Sequence, residues 1–166
     1  MLCRYVGGVV CGAIADCLLE KKCLSVVWVR RIFNSITMFG PGLVMCIMAF
    51  QPEGVQCSPA FSVSLFCIGM FMNGALTSGH FAAPSDLAPN YSGTLMGLSN
   101  TLSGGAIGFT VPLFIGELTD KNMTWDAWMI VFSTASAVYI VTNFFYVFMI
   151  SGDIQPWNYH FVSGFH

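Results

Sequence analysis

Fourteen charged positions divide the 166-residue chain into charge-free runs at 5–15, 32–52, 54–85, 87–116 and 127–152. About 20 apolar residues cross a bilayer as a helix, so four runs are long enough and the first is too short. They predict helices over 32–50, 60–83, 94–116 and 127–150. The breakers between them are Gln51-Pro52-Glu53-Gly54, Cys57-Ser58-Pro59, Ala83-Pro84-Ser85-Asp86 and the stretch from Glu117 to Asp126. Strands fit poorly, because a lone strand in lipid leaves its backbone unpaired and the short alternation of an outer-membrane barrel is absent. The expected class is an all-α membrane protein with four full transmembrane helices and one truncated helix.

Cations set the orientation. Lys21, Lys22, Arg30 and Arg31 lie between the first run and Ile32, and the remaining cations are Arg4 and Lys121, so the 20–31 loop is expected in the cytosol. Alternation then puts 51–59 and 117–126 outside or in a lumen, and 84–92 and the tail after Ile150 in the cytosol. Residues 1–19 admit two readings. Arg4, a weakly apolar stretch and Ala13-Ile14-Ala15 could form a signal peptide cleaved before Asp16. Cleavage would export the most basic loop, against the charge rule, so the preferred reading is the last half of a transmembrane helix that has lost its beginning.

Composition agrees. Charged residues make 8 % of the chain and hydrophobic ones 55 %, with mean hydropathy +0.71, against roughly 25 % charged in soluble domains. The formal net charge is −2 and no basic stretch exceeds two residues, so nucleic acid is excluded as a partner and lipid is the expected one.

Polar residues separate the helices. Gly, Ser, Thr and Asn fill 8 of 24 positions in 60–83 and 12 of 24 in 93–116, but 5 of 19 in 32–50 and 5 of 24 in 127–150. Small and hydroxylated residues mark helices that pack closely or line a polar cavity, so two inner and two outer helices are expected. In 93–116, Gly104, Gly108, Pro112 and Gly116 recur every four residues and form one smooth face. Pro112 removes a backbone donor, which fits a hinge as well as it fits ordinary tight packing. Asn73, Thr77, Asn100 and Thr101, with Ser99 and Ser103 beside them, are candidates for a substrate path. Asn100 needs a partner in another helix, the backbone, water or a ligand, and interhelical packing competes with substrate contact as its role. His80 is read either as an interface residue or as a group titrating near neutrality. Asp86, the one charge between Gly54 and Gly116, serves either to structure its loop or as a conformational latch.

Enzyme chemistry has little to build on. The seven cysteines include no Cys-x-x-Cys, and Cys11, Cys17 and Cys23 scatter round a helix, so no metal or redox cofactor is expected. No nucleophile elbow, phosphate-binding glycine loop or zinc-protease helix occurs. Of two Asn-x-Ser/Thr sequons, Asn90 is expected in the cytosol and only Asn122 is a candidate for glycosylation.

Several motifs together are distinctive: Gly12-x-x-x-Asp16 followed by Val29-Arg30-Arg31, Asp86-Leu-Ala-Pro-Asn-Tyr-Ser-Gly93, Met96-Gly-Leu-Ser-Asn-Thr101, Pro112-x-x-x-Gly116 and Gly152-Asp-Ile-Gln-Pro-Trp157. In this order they resemble the major facilitator superfamily, and within it the anion–cation symporter branch of phosphate cotransporters, sialin and vesicular glutamate transporters. The likeness is greatest to insect inorganic phosphate cotransporters. It implies a partial major facilitator fold over 1–157, from the end of helix 8 through helix 12 of a twelve-helix carrier, with 158–166 a cytoplasmic tail. It further implies a plasma, vesicular or lysosomal membrane, a small anionic substrate and coupling to Na⁺ or H⁺. By the same resemblance, 60–83 lines the cavity, 94–116 flanks it, and the other two full helices lie outside. Gly12 and Asp16 would belong to a cytoplasmic latch, with Arg30 and Arg31 starting helix 9. Many relatives carry Asn-His-Leu or similar before the Asp of the Asp-Leu/Ile-Ala-Pro block, whereas this chain has Ala83-Pro84-Ser85. Half of such a carrier is absent from the chain, so a multispan protein that binds or regulates other membrane proteins is the alternative function. Oligomeric state is left open.

Overall fold

The computed structural model describes residues 1–51, 59–120, 124–151 and 153–158. Among these there are helices and turns and no strand. The helices are α1 (Leu2–Glu20), α2 (Val26–Ala49), α3 (Pro59–Asn73), α4 (Ala83–Leu87), α5 (Ser92–Leu102), α6 (Gly108–Asp120) and α7 (Trp125–Met149). Five stretches are long and apolar enough to cross a membrane: α1, α2, α3 with its 3₁₀ extension to Thr77, the span Pro89–Asp120, and α7. Large side chains such as Phe109, Phe145, Phe148 and Met149 are exposed on them, as lipid-facing surfaces require. The chain is a multi-pass integral membrane protein.

Each boundary that differs from expectation has a local cause. The first helix, expected as the latter part of a span, has 19 residues and is apolar enough to cross by itself. It closes with Lys22 at φ 50°, a left-handed conformation that reverses the chain. α2 begins at Val26 after an extended Ser25, so Arg30 and Arg31 are helical rather than in the loop before Ile32. Their long aliphatic stems let the charges sit inside a helix end. The helix expected over 60–83 stops at Asn73 and tightens into a 3₁₀ turn over Gly74–Thr77. Gly79 beyond it rests on α2, where a Cβ would lie 3.0 Å from the Asn34 backbone nitrogen. Pro84 stands in the first turn of α4 instead of ending α3, and Ala88, extended at φ −151° because Pro89 follows, ends α4.

The span Pro89–Asp120 is irregular one turn earlier than Pro112 predicts. A π-segment runs over Ser103–Ile107, immediately before the helix whose interior holds the proline. Such widened turns are one recognised source of helix bending.

Packing centres on α2. It runs antiparallel to α3, with Gly40 against Met72, Val44 against Gly69 and Asn34 against Gly79. It also runs antiparallel to α7, where Asn34 Nδ2 donates to Asn143 Oδ1 at 2.9 Å, Asn143 Nδ2 to Ser35 Oγ at 3.3 Å, and Ser136 Oγ to the Gly42 carbonyl at 2.8 Å. Phe39 meets Phe144 edge-on. α1 lies parallel to α3 through Gly7, Gly8 and Gly74. Cys11, Ala15, Val29, Phe33 and Ala75 form the apolar core of that corner.

The division into inner and outer helices differs from this arrangement. The two helices expected outside form the polar-bonded α2–α7 pair, whereas the stretch 89–120 contributes almost no buried surface. Among the described residues, nothing beyond their own stretch of helix comes within 4 Å of where a Cβ would stand on Gly104, Gly108 or Gly116. Composition records a helix's capacity for close packing, and the described residues supply nothing to that face.

Candidate functional site at the connector end of the bundle

The connector 78–91 gathers groups from four parts of the sequence. Arg30, one turn into α2, donates from Nε to Asp86 Oδ2 at 2.6 Å and from Nη2 to Oδ1 at 3.4 Å. Its Nη1 donates to the Ser78 carbonyl at 2.7 Å. Both side chains are largely removed from solvent, at 12 % and 25 % exposure. A forked guanidinium can hold a carboxylate and a carbonyl together in this way, and an ammonium cannot. Arg30 therefore ties α2 to both ends of the turn that follows α3.

The tail after α7 closes the same region. Gln155 N–H donates to the Leu87 carbonyl at 2.9 Å. Asn158, buried, accepts from the Asn90 backbone N–H at Oδ1 and from Asn90 Nδ2 at its carbonyl, each at 3.1 Å. The Gln-Pro-Trp motif thus docks on the Asp-Leu-Ala-Pro motif. This engages the Asn90 side chain; Asn122, the other sequon, lies outside the described residues. The three segments expected on the cytosolic side, the start of α2, the connector and the tail, meet at one end of the bundle.

Above this contact is a cavity of about 450 Å³ lined by Asn34, His80, Leu95, Ser99, Thr142 and Tyr146 among others. His80 packs edge-on against Phe81 with ring centroids 4.7 Å apart. It lies outside the spans, and burial pushes its pKa below the ordinary histidine value. The folded state therefore prefers neutral His80, a preference fully present above about pH 6.5 and lost as pH falls from there towards the lowered folded value. The thermal midpoint in detergent should drop more between pH 7.5 and 5.5 for the wild type than for His80→Phe. Equal drops would show that His80 does not set this dependence.

The remaining candidates scatter. Gly12 has no neighbour within 4 Å of where a Cβ would stand, and Asp16 is exposed without an ion pair among the described residues. Arg31 lies over the Trp28 ring at 5.4 Å, and its buried Nε has no hydrogen-bond partner among the described residues. Asn100 and Thr101 are both exposed on α5, where the Thr101 hydroxyl donates back to the Gly97 carbonyl at 2.9 Å. Asn73 and Thr77 each border a cavity that Arg4 also borders. Arg4, which in the sequence counts only as a cation before the first short apolar run, is part of α1.

Comparison with known proteins places these features. No family model matches the chain. A Drosophila ananassae protein that carries the name of an inorganic phosphate cotransporter is 33 % identical over 147 residues, 87 % of this chain and 29 % of that protein. Sialin of Ovis aries is 31 % identical over 161 residues, covering 92 % and 30 %. Vesicular glutamate transporter 2.2 of Danio rerio is 34 % identical over 146 residues, covering 88 % and 24 %. The chain is similar to these proteins, whose names fit the anion–cation symporter branch of the major facilitator superfamily. It spans under a third of the length of each. Two of these three carry the names of transporters, and the resemblance carried by the Asp-Leu-Ala-Pro and Gln-Pro-Trp motifs is to the same branch. In the structure those two motifs touch.

Proposed function

We propose that this chain serves the cation-coupled carriage of a small anion, inorganic phosphate or an organic anion, as part of a longer alternating-access carrier in a plasma or vesicular membrane. Kinship with symporters over about nine-tenths of the chain supports it. The observation that carries the mechanism is the Arg30–Asp86 pair with its bond to Ser78. A latch of this kind holds α2 to the connector in one conformation and opens in the other, so that two helix bundles rock about a central site. Either Na⁺ or H⁺ supplies the driving gradient. The test is uptake of phosphate, glutamate and sialic acid into vesicles holding a carrier that contains this chain, under imposed Na⁺ and H⁺ gradients. Gradient-dependent accumulation of one of them is expected, and none for any overturns the reading.

The uncovered Gly104–Gly108–Gly116 face favours a second reading, in which the chain binds another membrane protein. The two readings share a prediction: Gly108→Leu blocks close approach of a helix to that face. Under the carrier reading it should cut uptake at least about tenfold. Under the second, the chain transports nothing and co-purifies with a larger membrane protein, and Gly108→Leu abolishes that association. Unaltered uptake and unaltered co-purification in the variant would remove the face from both.

A further inference from the structure

The cavity above the Arg30–Asp86 pair takes its walls from both sides of that pair. Asn34 and Met38 stand on α2, about one and two turns beyond Arg30, and His80, Pro84 and Leu87 belong to the connector that carries Asp86. Ser99 of α5 and Tyr146 of α7 complete it. Its volume of about 450 Å³ lies in the range that holds a drug-sized molecule.

Two buried polar atoms define what the cavity accepts. Asn34 is 1 % exposed. Its amide nitrogen is engaged by Asn143, and its Oδ1 has no hydrogen-bond partner among the described residues. The buried Tyr146 hydroxyl has none there either. Tyr146 follows Asn143 by three residues on the same face of α7, which brings both atoms to one cavity. Buried polar atoms are as a rule paired. An amide oxygen can only accept, so its missing partner is a donor, whereas a phenol can donate or accept.

Charge narrows the choice further. Among the described residues lining the cavity there is no carboxylate, ammonium or guanidinium, and burial disfavours the charged form of His80. Arg30 and Asp86 below are joined to each other. An ionised ligand would be desolvated there without a counter-ion. A single alcohol group satisfies both orphaned atoms, donating to Asn34 Oδ1 while accepting from the Tyr146 phenol, and Met38, Pro84 and Leu87 suit an apolar body beside it.

We propose that this cavity binds an uncharged, lipid-soluble alcohol, and that the bound molecule acts as a brake on the latch. A molecule held between α2 and the connector favours the conformation in which Arg30 and Asp86 are joined and opposes the one in which they part. The brake rests on the carrier reading given above, whereas binding can be measured without transport.

The test is photolabelling of the purified 166-residue chain in phosphatidylcholine nanodiscs with a diazirine-bearing octanol, followed by peptide mass spectrometry. Saturable labelling within 83–99 or 142–150, the stretches that line the cavity, is expected, with displacement by 1-octanol. At equal membrane concentration the methyl ether of octanol, which cannot donate to Asn34, should displace it roughly five- to tenfold less well. Tyr146→Phe should weaken labelling by a similar factor, and Ser99→Phe, which puts a ring into the cavity, should block it. Val63→Phe, on the exposed surface of α3, should leave it unchanged. Labelling spread evenly over the lipid-facing helices, or undiminished in both Tyr146→Phe and Ser99→Phe, overturns the site. If Ser99→Phe loses helicity or monodispersity, the ether and Tyr146→Phe decide, and full potency in both overturns it. At twice its Kd, 1-octanol should slow hydrogen exchange of the connector amides over 85–91 about threefold, and hardly at all in Tyr146→Phe. Unchanged exchange with labelling still confined to the cavity overturns the brake. Failed uptake of every anion with labelling at the cavity would fault the carriage reading alone; uptake without such labelling would fault this site alone.

Discussion

Gly74→Val is expected to detach α1 from α3. A Cβ at Gly74 would stand 2.6 Å from the Gly7 carbonyl carbon and closer still to the Gly8 nitrogen. Both are backbone atoms, so no rotamer change relieves the clash and the helices must part. The cost is about 3 kcal/mol or more, the upper range for overpacking, because the separation also uncovers Cys11, Ala15 and Ala75 in the core of that corner. Cys3 and Cys67 are neighbours across the same interface, which supplies a local measurement. Mild oxidation followed by mass spectrometry should link them in the wild type and far less in Gly74→Val. Gly104→Val, at a glycine with open space around it, should leave both the cross-link and the thermal midpoint of the isolated chain unchanged. Efficient cross-linking in Gly74→Val would refute the close approach.

The second large effect concerns the latch. Asp86→Ala leaves the Arg30 guanidinium largely buried with, among the described residues, only the Ser78 carbonyl as hydrogen-bond partner. Removing one member of a fully buried pair costs about 3–5 kcal/mol; the quarter exposure of Asp86 reduces this to roughly 2 kcal/mol. Arg30→Met should cost about as much. The double variant Arg30→Met/Asp86→Ala should recover at least about 1 kcal/mol relative to the sum of single changes, since no charge is then stranded. Unfolding by denaturing detergent, followed by loss of helicity, measures all four members of the cycle. Additive losses would mean the two residues do not interact. In a carrier, Asp86→Asn should slow transport more than it lowers surface expression, and normal uptake would leave Asp86 with a loop-structuring role only.

Much of this was legible in the residue pattern. Five hydrophobic stretches, their breakers and the all-helical class follow from hydropathy and from the need to satisfy backbone groups in lipid. Arg30 and Asp86 were singled out from 56 positions apart because charges are scarce in such a chain, and the structure pairs them. Gly12, Asp16 and Arg31, put forward by the family resemblance, join no such pair among the described residues. Scarcity marks a residue as unusual without saying what it meets.

Boundaries failed where a charge was taken to end a helix. Arg30 is helical because its head is neutralised by Asp86, a contact no local pattern encodes. α3 ended early because Gly79 had to lie on the α2 backbone. The first helix was misjudged for the converse reason: a charge-free run of 11 residues, 5–15, counted as too short, although α1 reaches across Arg4 to Leu2.

By itself the sequence determined the solvent, the helical class, the scale of each span and the motifs shared with symporters, because these depend on composition and on periodicity within one helix. Tertiary structure alone decided partners. It joined Asn34 to Asn143, set Gln155 on Leu87, placed Asn73 and Thr77 beside Arg4, and left the Gly104–Gly116 face bare. In lipid, hydrophobicity drives a helix into the membrane but does not choose its neighbour, and that choice falls to close packing and hydrogen bonds between surfaces distant in the chain.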